Sequence, residues 1–386
     1  SVITLPFEES SKFVENGKSY SNILRMRHDF GEQSHIGLVA TDRRFDSGGS
    51  GSLVGIDGRI RLSQSNAVIA QFLGTYTEEV DNLSLADSSF NVQRFDDDRY
   101  TAGLDGETFG GHAYFVNVSR NTGNYWGSVQ YAEKSPTFRA DNGFEPSNNV
   151  RYGKIDIGGI LRFEENDILE NINGNVNITR EWNFSSIKKD EWINSSLEVR
   201  FRAAQSGIHV NYLHSNELFH DIQFNNIWEG HACFTTQPTG ALSFGGNINY
   251  GHRIARDDLF MGKQTTYGLW TNVKPIDRLL LSAEFSHIHS DDLDTGSRLF
   301  AQSILWSRLS LQLSRELSMR LVLQYNDRYG TWDADPLLTY RINSLTLFYI
   351  GSTRDYRDLN MVDDGREGWT LTERQYFMKL QYLFQI

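Results

Sequence analysis

The chain has 386 residues and a formal net charge of −12, which argues against broad nucleic-acid binding, because a phosphate-binding surface is normally basic. Hydrophobic residues make up only 39% but aromatics 13%, and 33 glycines accompany 6 prolines, a balance that suits strands apolar on one face and wet on the other. No run approaches the roughly 18 consecutive apolar residues of a transmembrane helix, and a single cysteine, Cys233, excludes an internal disulfide framework and a cysteine-rich metal site.

In chain order, Ser1 to Phe7 reads as extended chain with no basic-apolar leader in front of it, which predicts a start partway through a strand with an export signal removed or upstream. Alternating segments of about ten residues then follow, joined by a short turn, then a longer polar loop. Asn22 to Phe30, the turn Gly31-Glu32-Gln33 and Ser34 to Arg43 form the first pair. In Ser52 to Leu62, Val54, Ile56, Ile60 and Leu62 share one parity while Asp57, Arg59 and Arg61 share the other, which a pleated strand sends to opposite faces. Ala67 to Tyr76 precedes the longest interruption, Glu78 to Glu107, which reads as a surface loop.

The rhythm resumes with His112 to Arg120 and Asn124 to Ala132, then the loop Lys134 to Asn149 and the segments Arg151 to Phe163, Asn175 to Asn183 and Leu197 to Ala203. Ile208 to His214 and Trp228 to Thr236 lead to a turn at Gln237-Pro238-Thr239-Gly240 and the strand around Leu242 to Tyr250. Thr265 to Val273 and Leu279 to His287 flank a turn at Pro275 to Arg278. Arg298 to Ser314, Leu317 to Asn326, Leu338 to Ile342 and Leu345 to Ser352 follow, and Tyr356 to Leu371 is the last loop. The closing strand Gln375 to Ile386 sets Tyr376, Met378, Leu380, Tyr382, Phe384 and Ile386 against Gln375, Lys379, Gln381 and Gln385. The arithmetic predicts an all-β, antiparallel up-and-down transmembrane barrel of about 20 strands (range 16–22) in one domain.

The faces assigned inward carry Arg25, Arg27, Arg59, Arg61, Lys154, Arg162, Arg200, Arg202, Arg320, Arg341 and Lys379 against the acids Asp57, Asp156 and Glu198. A basic wall favours anions if the barrel is open; the alternative is a structural network in which these cations pair with neighbouring acids. Phe300, Ile304 and Trp306 fall on the parity opposite Leu299, Leu305 and Leu309, which implies inward apolar positions that pack on one another or on a plug, or else form a track for a sugar or another ligand. The acidic loop with its Asp96-Asp97-Asp98 triplet is the candidate for Ca²⁺, but the spaced Asp-x-Asp-x-Asp-Gly pattern is missing and clustered surface acids are more often simply solvated, so the expectation is no metal site. No His-Glu-x-x-His, Gly-x-Ser-x-Gly or phosphate-binding glycine loop occurs, so the expectation is no enzyme activity and no cofactor.

Lys379, Tyr382, Phe384 and Ile386 in the closing strand resemble the C-terminal assembly signal of Gram-negative outer-membrane barrels, with Gln381 where glycine is usual. Asn22-Ile23-Leu24-Arg25 running into Asp29-Phe30-Gly31 and Ile36-Gly37, Ser135-Pro136-Thr137-Phe138 followed by Asn142-Gly143-Phe144, and the closing strand together resemble the barrel of unknown function found behind a carbohydrate-binding family 9-like domain in large Gram-negative outer-membrane proteins. That resemblance implies an outer-membrane location, outer-membrane lipid and the barrel-assembly machinery as partners, glycan handling, and no catalytic residues. The resemblance also implies an N-terminal part, the front domain, upstream of this sequence. The expectation is a pore or membrane-embedded transport component for anionic or glycan-related solutes; the alternative is a plugged, non-conducting barrel that anchors a periplasmic or surface protein partner. A soluble propeller requires repeated four-strand blade signatures, which the sequence lacks.

Overall fold

A computed structural model describes residues 2–5, 18–46, 48–83, 93–143, 147–256, 259–343, 345–361 and 368–382. Among them are β1 Val2–Leu5, β2 Ser19–Phe30, β3 Ser34–Phe45, β4 Ser50–Arg61, β5 Asn66–Glu78, β6 Arg94–Phe95, β7 Tyr100–Thr101, β8 Thr108–Asn121, β9 Tyr125–Lys134, β10 Val150–Arg162 and β11 Leu169–Trp182. The chain continues through β12 Lys188–Phe201, β13 Gly207–Phe219, β14 Ile222–Thr239, β15 Leu242–Ala255, β16 Phe260–Ile276, β17 Leu279–Asp292 and β18 Arg298–Gln312. It ends with β19 Leu317–Asn326, β20 Thr331–Asn343, β21 Thr346–Asp358 and β22 Trp369–Tyr382. Twenty of these strands belong to one sheet, and β6 and β7 form a hairpin of their own. The count matches the sequence arithmetic, and Val2–Leu5 is indeed a strand, paired antiparallel with β2.

Two compact units divide the chain. The first comprises Ser1–Ile160, Asn175–Ile193 and Ser215–Gln223; the second comprises Leu161–Gly174, Asn194–His214 and Phe224–Ile386. In the first, β2, β3, β4, β5, β8, β9 and β10 pair antiparallel in chain order. In the second, β14 to β22 do the same without a skip. Such up-and-down pairing follows from short connections between antiparallel neighbours, and strands of 10 to 18 residues are long enough to cross a bilayer at a tilt.

Several boundaries move outward from those the alternation predicts. β14 extends from Ile222 to Thr239 and carries Pro238 inside it, where the ladder shifts register between Thr236 and Thr239. β16 likewise runs past Pro275, with a shift between Val273 and Ile276. β21 continues to Asp358 and β22 starts at Trp369, so both ends of the predicted last loop are strand. A proline removes one backbone donor, and the strand accommodates it at an irregularity rather than stopping. Strand ends with polar residues on both faces show no alternation, yet their backbone groups pair as well as any others.

The registers align the apolar parities of neighbouring strands. Met26, Leu38, Ile56, Phe72 and Tyr114 stand side by side across β2, β3, β4, β5 and β8, and every one is exposed. In β22, Tyr376, Met378, Leu380 and Tyr382 are exposed on one parity, with Met378 at 73%. Apolar surface of this extent is costly in water and is satisfied by hydrocarbon. Tyr76 and Tyr131 lie exposed toward the loop ends of β5 and β9, and Tyr125 at the turn end of β9, as expected of residues at the two membrane interfaces.

A charge on this face should therefore be costly only in a bilayer. Tyr376→Arg, at the middle of β22, is expected to lower unfolding stability in lipid vesicles by about 2–4 kcal/mol. Gln375→Arg, one residue away on the polar face, should change it by less than about 1 kcal/mol; denaturant titration of both variants compares them.

Candidate functional site

The polar face of the first unit begins with an ion pair. Arg25 on β2 and Asp57 on β4 bond across β3, with the second of their two hydrogen bonds at 2.8 Å. Gly37 lies between them, and a Cβ there would stand 2.7 Å from the Arg25 guanidinium and 2.8 Å from the Asp57 carboxylate, so glycine is what lets the pair close. Arg27 donates to Asp29 at 2.7 and 2.9 Å, and Arg61 donates to the turn carbonyls of Ser63 and Gln64. In the second unit Arg200 donates to Glu198 at 2.8 Å, while Arg202, just beyond β12, donates to the carbonyls of Asn166 and Phe163.

Lys154 and Arg162 lie on the polar parity of β10, Arg320 on β19, Arg341 on β20 and Lys379 on β22. Arg59 faces the same side as Asp57, and its buried Nε has no hydrogen-bond partner in the protein. Of the residues matching the assembly signal, Lys379 and Tyr382 sit on opposite faces of β22; Phe384 and Ile386 lie outside the described residues.

Two connections that read as surface loops are packed onto this polar face in the first unit. After β9, Ser135 and Phe138 are buried, the backbone N–H of Ser135 donates to the His112 carbonyl, and Thr137 Oγ1 donates to the Gly110 carbonyl at 2.7 Å. Gly111 on β8 permits the approach, because a Cβ there would lie 2.5 Å from the Phe138 backbone. Arg139 donates to Glu79 at 3.2 Å and to Asp141 at 2.8 Å, and Arg43 on β3 donates to the Asp141 carbonyl at 2.8 Å. The Ser-Pro-Thr-Phe stretch, singled out by resemblance, thus fastens a connection to the wall; Phe144 lies outside the described residues.

The second such connection follows β5. Val80 packs with Phe45, and Leu104 is also buried. Phe95 and Tyr100 of the β6–β7 hairpin pack against Phe109 of β8, the first edge-on and the second tilted, with ring centroids 5.8 and 5.3 Å away. Asp96, Asp97 and Asp98 form the tip of that hairpin with positive φ values of 53°, 55° and 61°, and Asp96 pairs with Arg99 at 3.5 Å. The carboxylates that converge are instead Glu79, Asp105 and Glu107. Thr101 donates to Glu107 and Asp105 at 2.8 and 2.9 Å, whereas Glu79 Oε2 and Asp105 Oδ1 are buried without a protein partner.

Burial pushes the Glu79 carboxyl up to about 7 from the usual 4.5; Arg139 pulls it down, and Asp105, Glu107 and Asp141 add to the rise.

In the second unit the registers line up a row that sequence reading missed. Trp270, Glu284, Trp306, Gln324, Asp333, Asp355 and Glu373 are consecutive cross-strand neighbours from β16 to β22 on the polar face. Asp335 on β20 and Glu229 on β14 share that face, the latter paired with Arg253 at 2.6 Å. Asp333, Asp335 and Asp355 fell in stretches that lacked alternation and read as connections. The signal that finds them is ladder register, carried over from the neighbouring strand. The polar face is therefore of mixed charge: the basic residues Arg320, Arg341 and Lys379 lie toward the short-turn ends of their strands, and the acids Asp333, Asp355 and Glu373 toward the opposite ends.

No family model and no curated protein matches the chain. Solved structures do match along its length. The siderophore receptor PirA of Acinetobacter baumannii aligns with 100% of this chain and 74% of its own, at 8% identity and a TM-score of 0.54. A mutant of the ferric enterobactin receptor PfeA of Pseudomonas aeruginosa aligns over 98% and 71%, at 10% identity and a TM-score of 0.57. The ferric-catecholate import receptor Fiu of E. coli K12 aligns over 95% and 73%, at 11% identity and a TM-score of 0.51.

The fold is that of a bacterial outer-membrane β-barrel. In that fold the exposed apolar face is the one lipid covers, and the polar face looks inward.

The raised Glu79 pKa fixes a pH dependence. The folded chain holds this proton more tightly than the unfolded chain, so stability falls as pH rises from about 4.5 to about 7 and this group adds no slope above that. Glu79→Gln should flatten the slope in that window and raise stability at pH 8 by on the order of 3 kcal/mol. Denaturant midpoints of both proteins from pH 4 to 8 measure it.

Proposed function

We propose that the chain is the membrane-embedded part of an outer-membrane transport system for a polar solute that is not selected as an anion. The observation that carries this reading is the row from Trp270 to Glu373, in which two indole rings flank a carboxylate and lead into three more. Aromatic faces with adjacent hydrogen-bond acceptors suit a solute rich in hydroxyl or amine donors, a sugar-like molecule among them. Three of the eleven basic residues that pointed to anions are paired with acids, Arg25 with Asp57, Arg27 with Asp29 and Arg200 with Glu198. The same fold serves siderophore receptors in the aligned structures, which supports an uptake role over a purely structural one.

A second reading is favoured by the packed connections: Phe138, Leu104 and Val80 are buried against the polar face, as in an occluded barrel that holds a partner.

Planar-bilayer recording of the purified chain separates the two. Transport predicts steady conductance with no anion preference under a salt gradient, and the triple substitution Asp333→Asn, Asp355→Asn, Glu373→Gln should move the reversal potential toward anions. Gly111→Val should dislodge the Ser135–Asp141 connection, at a cost of about 1–3 kcal/mol from overpacking, and raise conductance severalfold. A wild-type chain that stays silent and opens only with Gly111→Val supports occlusion, whereas an anion-selective wild type removes the proposed solute class.

A further inference from the structure

The second unit holds a group of side chains that the transport reading does not use. His231 and Cys233 are two residues apart on β14 and so project from the same face, and His209 reaches them from β13, its ring centroid 5.7 Å from that of His231. One ligating atom from each of the three lies within 4.8 Å of the others, and all three residues are half-buried. Their face is the polar one: in the β14–β15 ladder His231 stands opposite Asn249 and Cys233 opposite Asn247, while the exposed Phe234 and Ile248 point the other way.

His231 is already oriented. Its Nδ1 lies 2.6 Å from Asn249 Oδ1, an acceptor, so Nδ1 carries the proton and Nε2 presents its lone pair. Fixing one ring nitrogen through a polar neighbour, so that the other is free to ligate, is the usual outer support of a metal-bound histidine.

We propose that His209, His231 and Cys233 form a binding site for a zinc-class transition-metal cation, with water from the wet face completing the coordination. One thiolate and two imidazoles suit a borderline-soft ion and not Ca²⁺ or Mg²⁺, which take oxygen donors. A tetrahedral site with Zn–S near 2.3 Å and Zn–N near 2.0–2.1 Å spaces its ligands about 3.4–3.6 Å apart. β13 and β14 already hold the three ligating atoms within 4.8 Å of one another. The inference does not rest on the transport reading, and its test reads binding rather than conductance.

The full chain in detergent, stripped with chelator, is titrated with Co²⁺ followed by absorbance, then with Zn²⁺ in competition. One Co²⁺ per chain with a thiolate-to-cobalt band, displaced by Zn²⁺, is the expected result. Cys233→Ser should abolish the band and weaken binding at least tenfold, and His209→Gln and His231→Gln should each weaken it comparably. Asn249→Leu should keep the band and weaken binding about tenfold through loss of ring orientation. Heat-modifiable electrophoretic mobility checks that each variant is folded, and Asn124→Ser, at a turn of the first unit, is the control. Absence of the band in the folded wild type overturns the proposal, and so does binding that Cys233→Ser and His231→Gln leave unchanged; tighter competition by Cu⁺ than by Zn²⁺ would keep the site and identify the softer ion as its ligand.

Discussion

The constraint on which this structure depends is backbone hydrogen bonding at membrane depth. Hydrocarbon offers no partner to an N–H or C=O group, so each strand must satisfy its backbone on its neighbours. The ladders from β2 to β10 and from β14 to β22 do this with sequential antiparallel pairing. Everything else follows from the pleat. Once the ladder is fixed, alternate side chains belong to one medium, and Met26, Leu38, Ile56, Phe72 and Tyr114 fall into one apolar row without touching a protein core.

The protein's buried hydrophobic residues are found elsewhere, chiefly where the connections after β5 and β9 lie against the polar face. Phe45, Val80, Leu104, Phe109 and Phe138 are all buried there. A large aromatic buried in this way contributes on the order of 1.5–3 kcal/mol, enough for a few such residues to hold a connection against its conformational entropy. The ion pairs of Arg139 with Glu79 and Asp141 add orientation more than energy, since the desolvation that raises the Glu79 pKa opposes the Coulombic gain.

Charge on the polar face shows how a one-sided inventory misleads. Arginines near strand ends are conspicuous because they interrupt apolar alternation at the short turns. The carboxylates of β20 to β22 are not, because Asp333, Asp335 and Asp355 sit in strand halves where both faces are polar. Only the register, set by Gln324 against Asp333 and by Asp355 against Glu373, aligns them with the two tryptophans. The resulting wall carries both signs, and Arg25, Arg27 and Arg200 are already paired with acids.

By itself the sequence determined the architecture. A period of two repeated along the chain specified strands, the near absence of proline and the spacing of turns specified their number, and the parity of Tyr376, Met378, Leu380 and Tyr382 specified which face would meet lipid. These are local properties, read within about ten residues. Tertiary structure decided the site: which connections fold onto the polar face, that Gly37 and Gly111 leave room for a neighbour no Cβ would admit, that Arg25 finds Asp57 across a strand, and that His209 meets His231 and Cys233. Each of those depends on pairing between residues about 20 to 100 positions apart, and side-chain alternation within one strand carries no information about the register of the next.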